Sequence, residues 1–88
     1  MDGLVWSIKQ GKVIDVRRYT LKSGQPVADV KIAYFGGLTS IRVSDAEAKK
    51  FEDLKGKNIS ADGLLYVERS SFDGSDTNMF EIANIKAI

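Results

Sequence analysis

Apolar and polar residues alternate along most of the chain, which is the period of a β-strand with one buried face. Residues 4–8 alternate in this way, and after Gly11 the alternation resumes over residues 13–20. Ile14 and Val16 are expected to share one face, with Asp15 and Arg17 on the other. A glycine inside a long strand pattern is typical of a bulge or a sharp bend. We therefore predict one long first strand that bends near Gly11.

Four more strands are predicted from the same alternation. In the second of the five, Val30 and Ile32 are expected to face inward, so Lys31 faces outward. The pair Gly36-Gly37 is predicted to form the next hairpin turn, because glycine accepts the positive φ that tight hairpins require. The strands predicted after the first are residues 27–35, 38–43, 58–69 and 79–88.

The period changes to that of a helix between the third and the fourth strand. Ser44 followed by Glu47 forms a capping box, which marks the start of a helix. Gly56 suits the position just after a helix end. A helix is therefore predicted over residues 44–55. Its apolar stripe consists of Ala48, Phe51 and Leu54.

Five strands with one helix between the third and the fourth is the layout of the OB-fold, a small five-stranded Greek-key barrel. The long bent first strand fits this layout, since it has to join both halves of a curled sheet. Another small barrel, or a meander with the same number of strands, is the alternative. A chain of 88 residues makes one domain. We therefore predict a single all-β OB-fold domain over residues 1–88.

The composition removes most catalytic and metal-binding chemistry. The chain has no Cys, which excludes a thiolate nucleophile, and no His, which is the commonest general base and metal ligand. The segment from Asp73 to Asn78 superficially resembles a calcium-binding loop but lacks the spacing and the closing Glu of an EF-hand. We predict no enzymatic activity, no cofactor and no metal site.

Charge and hydropathy place weaker limits on partners. A formal net charge of +1 neither suggests nor excludes nucleic acid. No apolar run approaches the ~20 residues that cross a bilayer, and the first residues lack the basic and apolar regions of a signal peptide. A cytoplasmic location is expected, with no membrane partner and no small-molecule substrate.

Basic and aromatic residues cluster at the end of the first predicted strand, where Arg17, Arg18 and Tyr19 lead into Lys22. Single-stranded nucleic acid is held by cations along its backbone and by aromatic rings on which bases stack. The cluster has both ingredients. Its alternative interpretation is a solvated hairpin end with ordinary surface charge.

Outward positions on the later strands extend this candidate surface. Lys31, Phe35, Arg42 and Tyr66 are expected to line one basic and aromatic face across the second, third and fourth strands. Phe35 and Tyr66 could instead pack in a dimer interface or under a loop, and Phe72 is either a stacking residue or a hydrophobic plug. The candidate nucleic-acid-binding residues are Arg17, Arg18, Tyr19, Lys22, Lys31, Phe35, Arg42, Tyr66, Arg69 and Phe72.

Two stretches resemble bacterial single-stranded-DNA-binding proteins. The first is Arg18-Tyr19-Thr20 followed by a Ser-Gly turn, Val27-Ala28 and an alternating strand, and the second is Gly11-Lys12-Val13. The length and layout are more loosely similar to the helix-destabilising proteins of filamentous phages. Together the matching stretches cover about a third of the chain.

The resemblance implies a non-enzymatic OB-fold protein that binds single-stranded DNA, or RNA, with little sequence preference and works as a homo-oligomer, either a dimer or a tetramer. The resemblance assigns DNA contacts to Arg17, Arg18, Tyr19 and Lys22 by their position in the sequence. The other candidates are assigned only because their side chains are inferred to point toward the same surface. The alternative is an OB-fold module for protein interaction or oligomerisation. That alternative rests on the low net charge and on the acidic residues of the predicted last loop.

Overall fold

The chain forms one curled antiparallel sheet and one helix, in the predicted order. The computed structural model describes residues 4–69, 74 and 76–88. The sheet has the strand order β3-β2-β1-β4-β5. Its edge strands β3 and β5 come within 8 Å of each other between Cα atoms, but the sheet is not closed by pairing between them in the described residues. The elements are β1 (Leu4–Thr20), β2 (Pro26–Tyr34), β3 (Gly37–Ser44), α1 (Asp45–Glu52), β4 (Asn58–Arg69) and β5 (Asp76–Ala87).

Strand β1 joins the two halves of the sheet. Its first half pairs with β4 and its second half with β2, and the two pairings meet at Lys12. The register with β4 shifts between Ile8 and Gly11, which confirms the predicted bend. A second shift, between Val13 and Asp15, turns Ile14 outward to 39% exposure and leaves Val13 fully buried. Val16 packs against the core, so the prediction that Ile14 and Val16 share a face is wrong, because the bulge interrupts the alternation between them.

The turn between β2 and β3 lies one residue earlier than predicted. Tyr34 pairs with Gly37, so the two central residues of the hairpin are Phe35 and Gly36. Both have positive φ, at 35° and 79°, as a type I′ turn requires. Phe35 thus leaves the strand in which it was predicted and occupies the tip of the hairpin, fully exposed.

Helix α1 begins where the sequence predicted and ends sooner. The Ser44 hydroxyl accepts a hydrogen bond from the backbone N–H of Glu47 at 3.3 Å, which satisfies one free donor of the first turn. Beyond Glu52, the N–H groups of Leu54 and Lys55 donate to carbonyls three residues earlier, so the last turn tightens. Within the described residues, no helix is long and apolar enough to cross a membrane.

The core fills the inside of the curled sheet beneath α1. Ala48 and Phe51 of the helix are fully buried there, which confirms the predicted apolar stripe, and Leu54 packs beside them. Trp6 also packs against this core, with its ring edge-on to Phe80 at 5.5 Å between centroids. The buried strand residues of the core are Val13, Ala28, Val30, Ile32, Ile41, Val43, Ile59, Ala61 and Ile82.

Strands β4 and β5 cross closely at Gly63. A Cβ atom at this position would lie 1.8 Å from the carbonyl oxygen of Glu81, so only glycine fits. The register of β4 with β5 shifts between Asp62 and Gly63. Beyond this shift, Val67 is 58% exposed.

Candidate nucleic-acid interface

The strand register places charged residues in rows across the outer surface of β1, β2 and β3. Arg17 lies opposite Asp29, and Asp29 lies opposite Arg42. These positions alternate with buried neighbours such as Val30 and Val43, so their side chains leave the sheet on the side away from the core. We call this surface the β1–β3 face; it consists of Asp15, Arg17, Tyr19, Asp29, Lys31, Ser40 and Arg42.

Tyr19 is fixed on this face by three charged neighbours. Its hydroxyl donates to Asp29 Oδ1 at 3.1 Å, and Arg42 Nε donates to the same oxygen at 3.3 Å. The guanidinium carbons of Arg17 and Arg42 lie 5.2 and 5.6 Å from the centroid of the ring, within cation–π range. Burial and the Asp29 hydrogen bond raise the pKa of the Tyr19 hydroxyl, so the group remains a donor. The ring is held in place before any ligand arrives.

A shallow concavity of about 240 Å³ lies beside this cluster, lined by Asp15, Arg17, Asp29, Lys31 and Ser40. Arg17 and Lys31 supply positive charge for phosphate groups. The Asp15 carboxylate is occupied by its own partners, since Oδ1 accepts from Lys55 Nζ at 3.1 Å and from the backbone N–H of Val16 at 3.0 Å. These bonds, that of Lys55 foremost, lower the pKa of Asp15.

Arg18 leaves β1 on the opposite side from Arg17 and binds the helix. Its guanidinium donates to both carboxylate oxygens of Glu52, at 2.9 and 2.6 Å, and to Asp45 Oδ1 at 2.7 Å. The hydrogen bond from Arg18 lowers the pKa of Glu52. Arg18 was predicted to contact nucleic acid together with its neighbours. The structure does not bring it to the β1–β3 face, because adjacent residues of a strand point to opposite sides.

Tyr66 was predicted to extend the basic surface, but its surroundings are acidic. It lies on β4 opposite Met79, which is fully buried, and is itself only partly exposed. Burial raises the pKa of its hydroxyl, and the charges of Glu68, Glu81 and Glu47 raise it further. Among the described residues, no hydrogen bond or cation–π contact joins Tyr66 to the arginines of the β1–β3 face.

The remaining predicted residues lie around the sheet margins. Lys22 is exposed in the turn between β1 and β2. Arg69 Nε contacts Asp76 Oδ1 at 3.0 Å across the end of the β4–β5 hairpin, and this partner raises the pKa of Arg69. Phe35 stands at the β2–β3 tip, where it borders an apolar groove of about 460 Å³. Phe72 lies outside the described residues.

The structure therefore brings together Arg17, Tyr19, Lys31 and Arg42 and adds Asp29, which the sequence did not single out. The alternation of β2 already placed Asp29 outward, but only the strand register reveals that it separates two arginines. No group of three or more Asp and Glu side chains in the described part of the chain is arranged to hold a metal ion.

Comparison with known proteins shows relatives in structure only. No protein-family model and no curated protein sequence matches the chain. A mitochondrial single-stranded DNA binding protein from S. cerevisiae superposes with a TM-score of 0.63 and 16% identity, over 99% of this chain and 97% of its own. A small single-stranded DNA-binding protein from Streptomyces coelicolor superposes with a TM-score of 0.54 and 14% identity, over 100% and 96% of the two chains.

Superposition over almost the full length of both partners, with five strands and one helix in the same layout, decides between the OB layout and a plain meander. Sequence identities of 16% and 14% support a shared fold and nothing about the ligand. The ligand depends on the side chains of this chain. The chain has the OB fold of single-stranded-DNA-binding proteins, as its sequence predicted.

Proposed function

We propose that this protein binds single-stranded nucleic acid, with DNA as the expected ligand, through the β1–β3 face and without catalysing a reaction. The observation that carries the proposal is the arrangement of Arg17 and Arg42 around the ring of Tyr19, with Lys31 in the next row. Cations and a fixed aromatic ring on one surface are what such a ligand requires. The structural neighbours, named as single-stranded-DNA-binding proteins, support the same ligand.

Different side chains of this face are expected to contact the phosphate backbone and the bases of the nucleic acid. Arg17 and Lys31 border the concavity and would neutralise phosphates. Arg42 holds the position of Tyr19 through Asp29 and adds a third positive charge. Phe35, exposed at the hairpin tip, offers a second ring for stacking. Stacking and phosphate contacts read little sequence, so a broad specificity is expected.

Titration of a fluorescently labelled oligothymidylate, followed by anisotropy, tests the proposal. Three cations that each neutralise one phosphate predict a slope of log affinity against log salt of about −2. Lys31→Ala should weaken binding and make the slope less steep by about 0.7. Lys86→Ala, which removes another exposed lysine, from β5, is the matched control and should change neither the affinity nor the slope. Folded protein that does not bind at low salt would refute the function.

We also propose that the protein forms a homo-oligomer through the first half of β1. Among the described residues, β2 pairs with β1 only from Lys12 onward, which leaves one edge of residues 4–10 without a strand. Val5 and Leu64, neighbours on the outer side, are 79% and 39% exposed. An exposed strand edge beside apolar residues favours pairing with a second copy about a two-fold axis.

Sedimentation velocity tests this assembly. The native protein is expected to sediment as a dimer or tetramer, and Val5→Glu should shift it toward monomer while leaving the circular-dichroism spectrum unchanged. A native monomer at every concentration would contradict it. RNA binding and a cytoplasmic location stay predictions.

A further inference from the structure

Asp29 places a negative charge on the surface that is proposed to bind a polyanion. It stands in the central row of the β1–β3 face, between Arg17 on β1 and Arg42 on β3. Its side chain is 28% exposed, so it is reached by solvent and by a ligand. A carboxylate here repels phosphates. One benefit is positional, because it fixes Tyr19 and Arg42.

The geometry of its hydrogen bonds leaves room for a second role. Tyr19 and Arg42 both donate to Oδ1 of Asp29, and no donor among the described residues reaches Oδ2. Asp29 also lines the concavity, together with Ser40 and Asp15. The Asp15 carboxylate is already engaged by Lys55. Both bonds of Asp15 likewise fall on its Oδ1, so its Oδ2 also has no donor among the described residues. Asp29 differs from Asp15 because it accepts a hydrogen bond from Tyr19, the ring on which a base would stack.

The bases differ in what they present to such an acceptor. Cytosine, adenine and guanine carry an exocyclic amino group, which donates hydrogen bonds, whereas thymine and uracil carry a carbonyl oxygen in its place. A carboxylate accepts from the amino group of cytosine and repels the O4 oxygen of uracil or thymine. The N3–H of uracil and thymine is also a donor, but it lies between two carbonyl oxygens, O2 and O4, which both repel a carboxylate. The ring of Tyr19 lies within one hydrogen bond of this carboxylate, so a base stacked there would bring its edge close to Asp29.

We propose that Asp29 is a specificity-determining residue, which accepts a hydrogen bond from the exocyclic amino group of a bound base and favours amino-bearing bases over uracil and thymine. This inference rests on the proposed function. One net hydrogen bond corresponds to a preference of about threefold to tenfold. Such a preference is small enough to be compatible with broad binding.

Oligodeoxycytidylate and oligodeoxyuridylate of equal length provide the closest comparison, since their bases differ at the 4-position and in the N3 proton that follows from it. The native protein should bind the cytosine strand about threefold to tenfold more tightly. Asp29→Asn retains an oxygen for Tyr19 and Arg42 but can both donate and accept. It should therefore bring the ratio of affinities close to one, and should bind the uracil strand more tightly than the native protein does.

Asp62→Asn is the matched control. It removes one negative charge from β4, where Asp62 accepts a hydrogen bond from Asn84, and should leave the ratio unchanged. Equal affinity of the native protein for the two strands would overturn the inference, and this result needs no variant to fold. A native preference that Asp29→Asn leaves intact would also overturn it, and would limit Asp29 to positioning Tyr19. Failure of both strands to bind at low salt would instead remove the proposed function itself.

Discussion

Replacing Phe35 with Asn is expected to stabilise the fold and to weaken DNA binding. Phe35 has a φ of 35°, in the left-handed region that a residue with a Cβ atom enters at a cost of about 1–2 kcal/mol. Asn is favoured at this position of a type I′ turn, ahead of a glycine such as Gly36. The Phe35 ring is fully exposed, so its removal sacrifices little buried surface. The free energy of unfolding should rise by about 1 kcal/mol.

Urea denaturation measures the first effect, as a higher midpoint with an unchanged slope. Anisotropy with labelled oligothymidylate measures the second. A stacked base contributes about 1–3 kcal/mol, so the affinity should fall by a factor of about 5 to about 140. Leu38→Asn is the control, because it removes a 62% exposed apolar side chain from the same hairpin without any strain at φ. It should leave the DNA affinity unchanged.

Two results would refute this reasoning about Phe35. A loss of stability in Phe35→Asn would mean that the ring contributes packing that outweighs the strain of its backbone. An unchanged affinity would remove Phe35 from the interface and confine binding to the strands. A gain in stability together with a loss of affinity would indicate that the strained residue is retained for binding.

Three further predictions follow from the contacts of α1 and the core. Arg18→Ala should lower the melting temperature without changing DNA affinity. Arg17→Ala should weaken DNA binding without changing the melting temperature. Calorimetry and anisotropy on both variants separate the two roles. Because Arg18 lowers the pKa of Glu52 from its ordinary 4.5, the stabilisation is fully present above that pH and is lost as the pH falls through the folded-state pKa. The melting temperature of Glu52→Gln should therefore depend less on pH in this acidic range than that of the native protein. Phe51→Ala, which empties a fully buried site, should cost about 3–5 kcal/mol of unfolding free energy in urea titrations; a loss below about 1 kcal/mol would contradict the assigned core.

The order of elements was predictable because its signals are local. Alternation marks the strands, and the capping box from Ser44 to Glu47 fixes the helix start without reference to any partner. The sequence could not reveal where alternation breaks. The bulge that turns Ile14 outward and the one-residue shift that places Phe35 in the turn both depend on pairing with a neighbouring strand.

The candidate site was predicted in part for the same reason. Arg17, Tyr19 and Arg42 meet because the register of β1, β2 and β3 aligns them, and their outward facing could be inferred from the buried residues between them. Arg18 was grouped with them by composition, although alternation sends it to the helix. The surroundings of Tyr66 could not be inferred from alternation, because the register of β4 with β5 shifts at Gly63 and the acidic residues around the ring come from three separate elements.

The central claim is that the β1–β3 face is the surface that binds single-stranded DNA. Backbone amide chemical shifts of ¹⁵N-labelled protein, recorded during titration with oligothymidylate, test it residue by residue. The largest chemical-shift changes are expected in the second half of β1, in β2 and in β3, around Arg17, Asp29 and Arg42. Changes confined to α1 or to the β4–β5 hairpin, or no changes at saturating oligonucleotide, would contradict it.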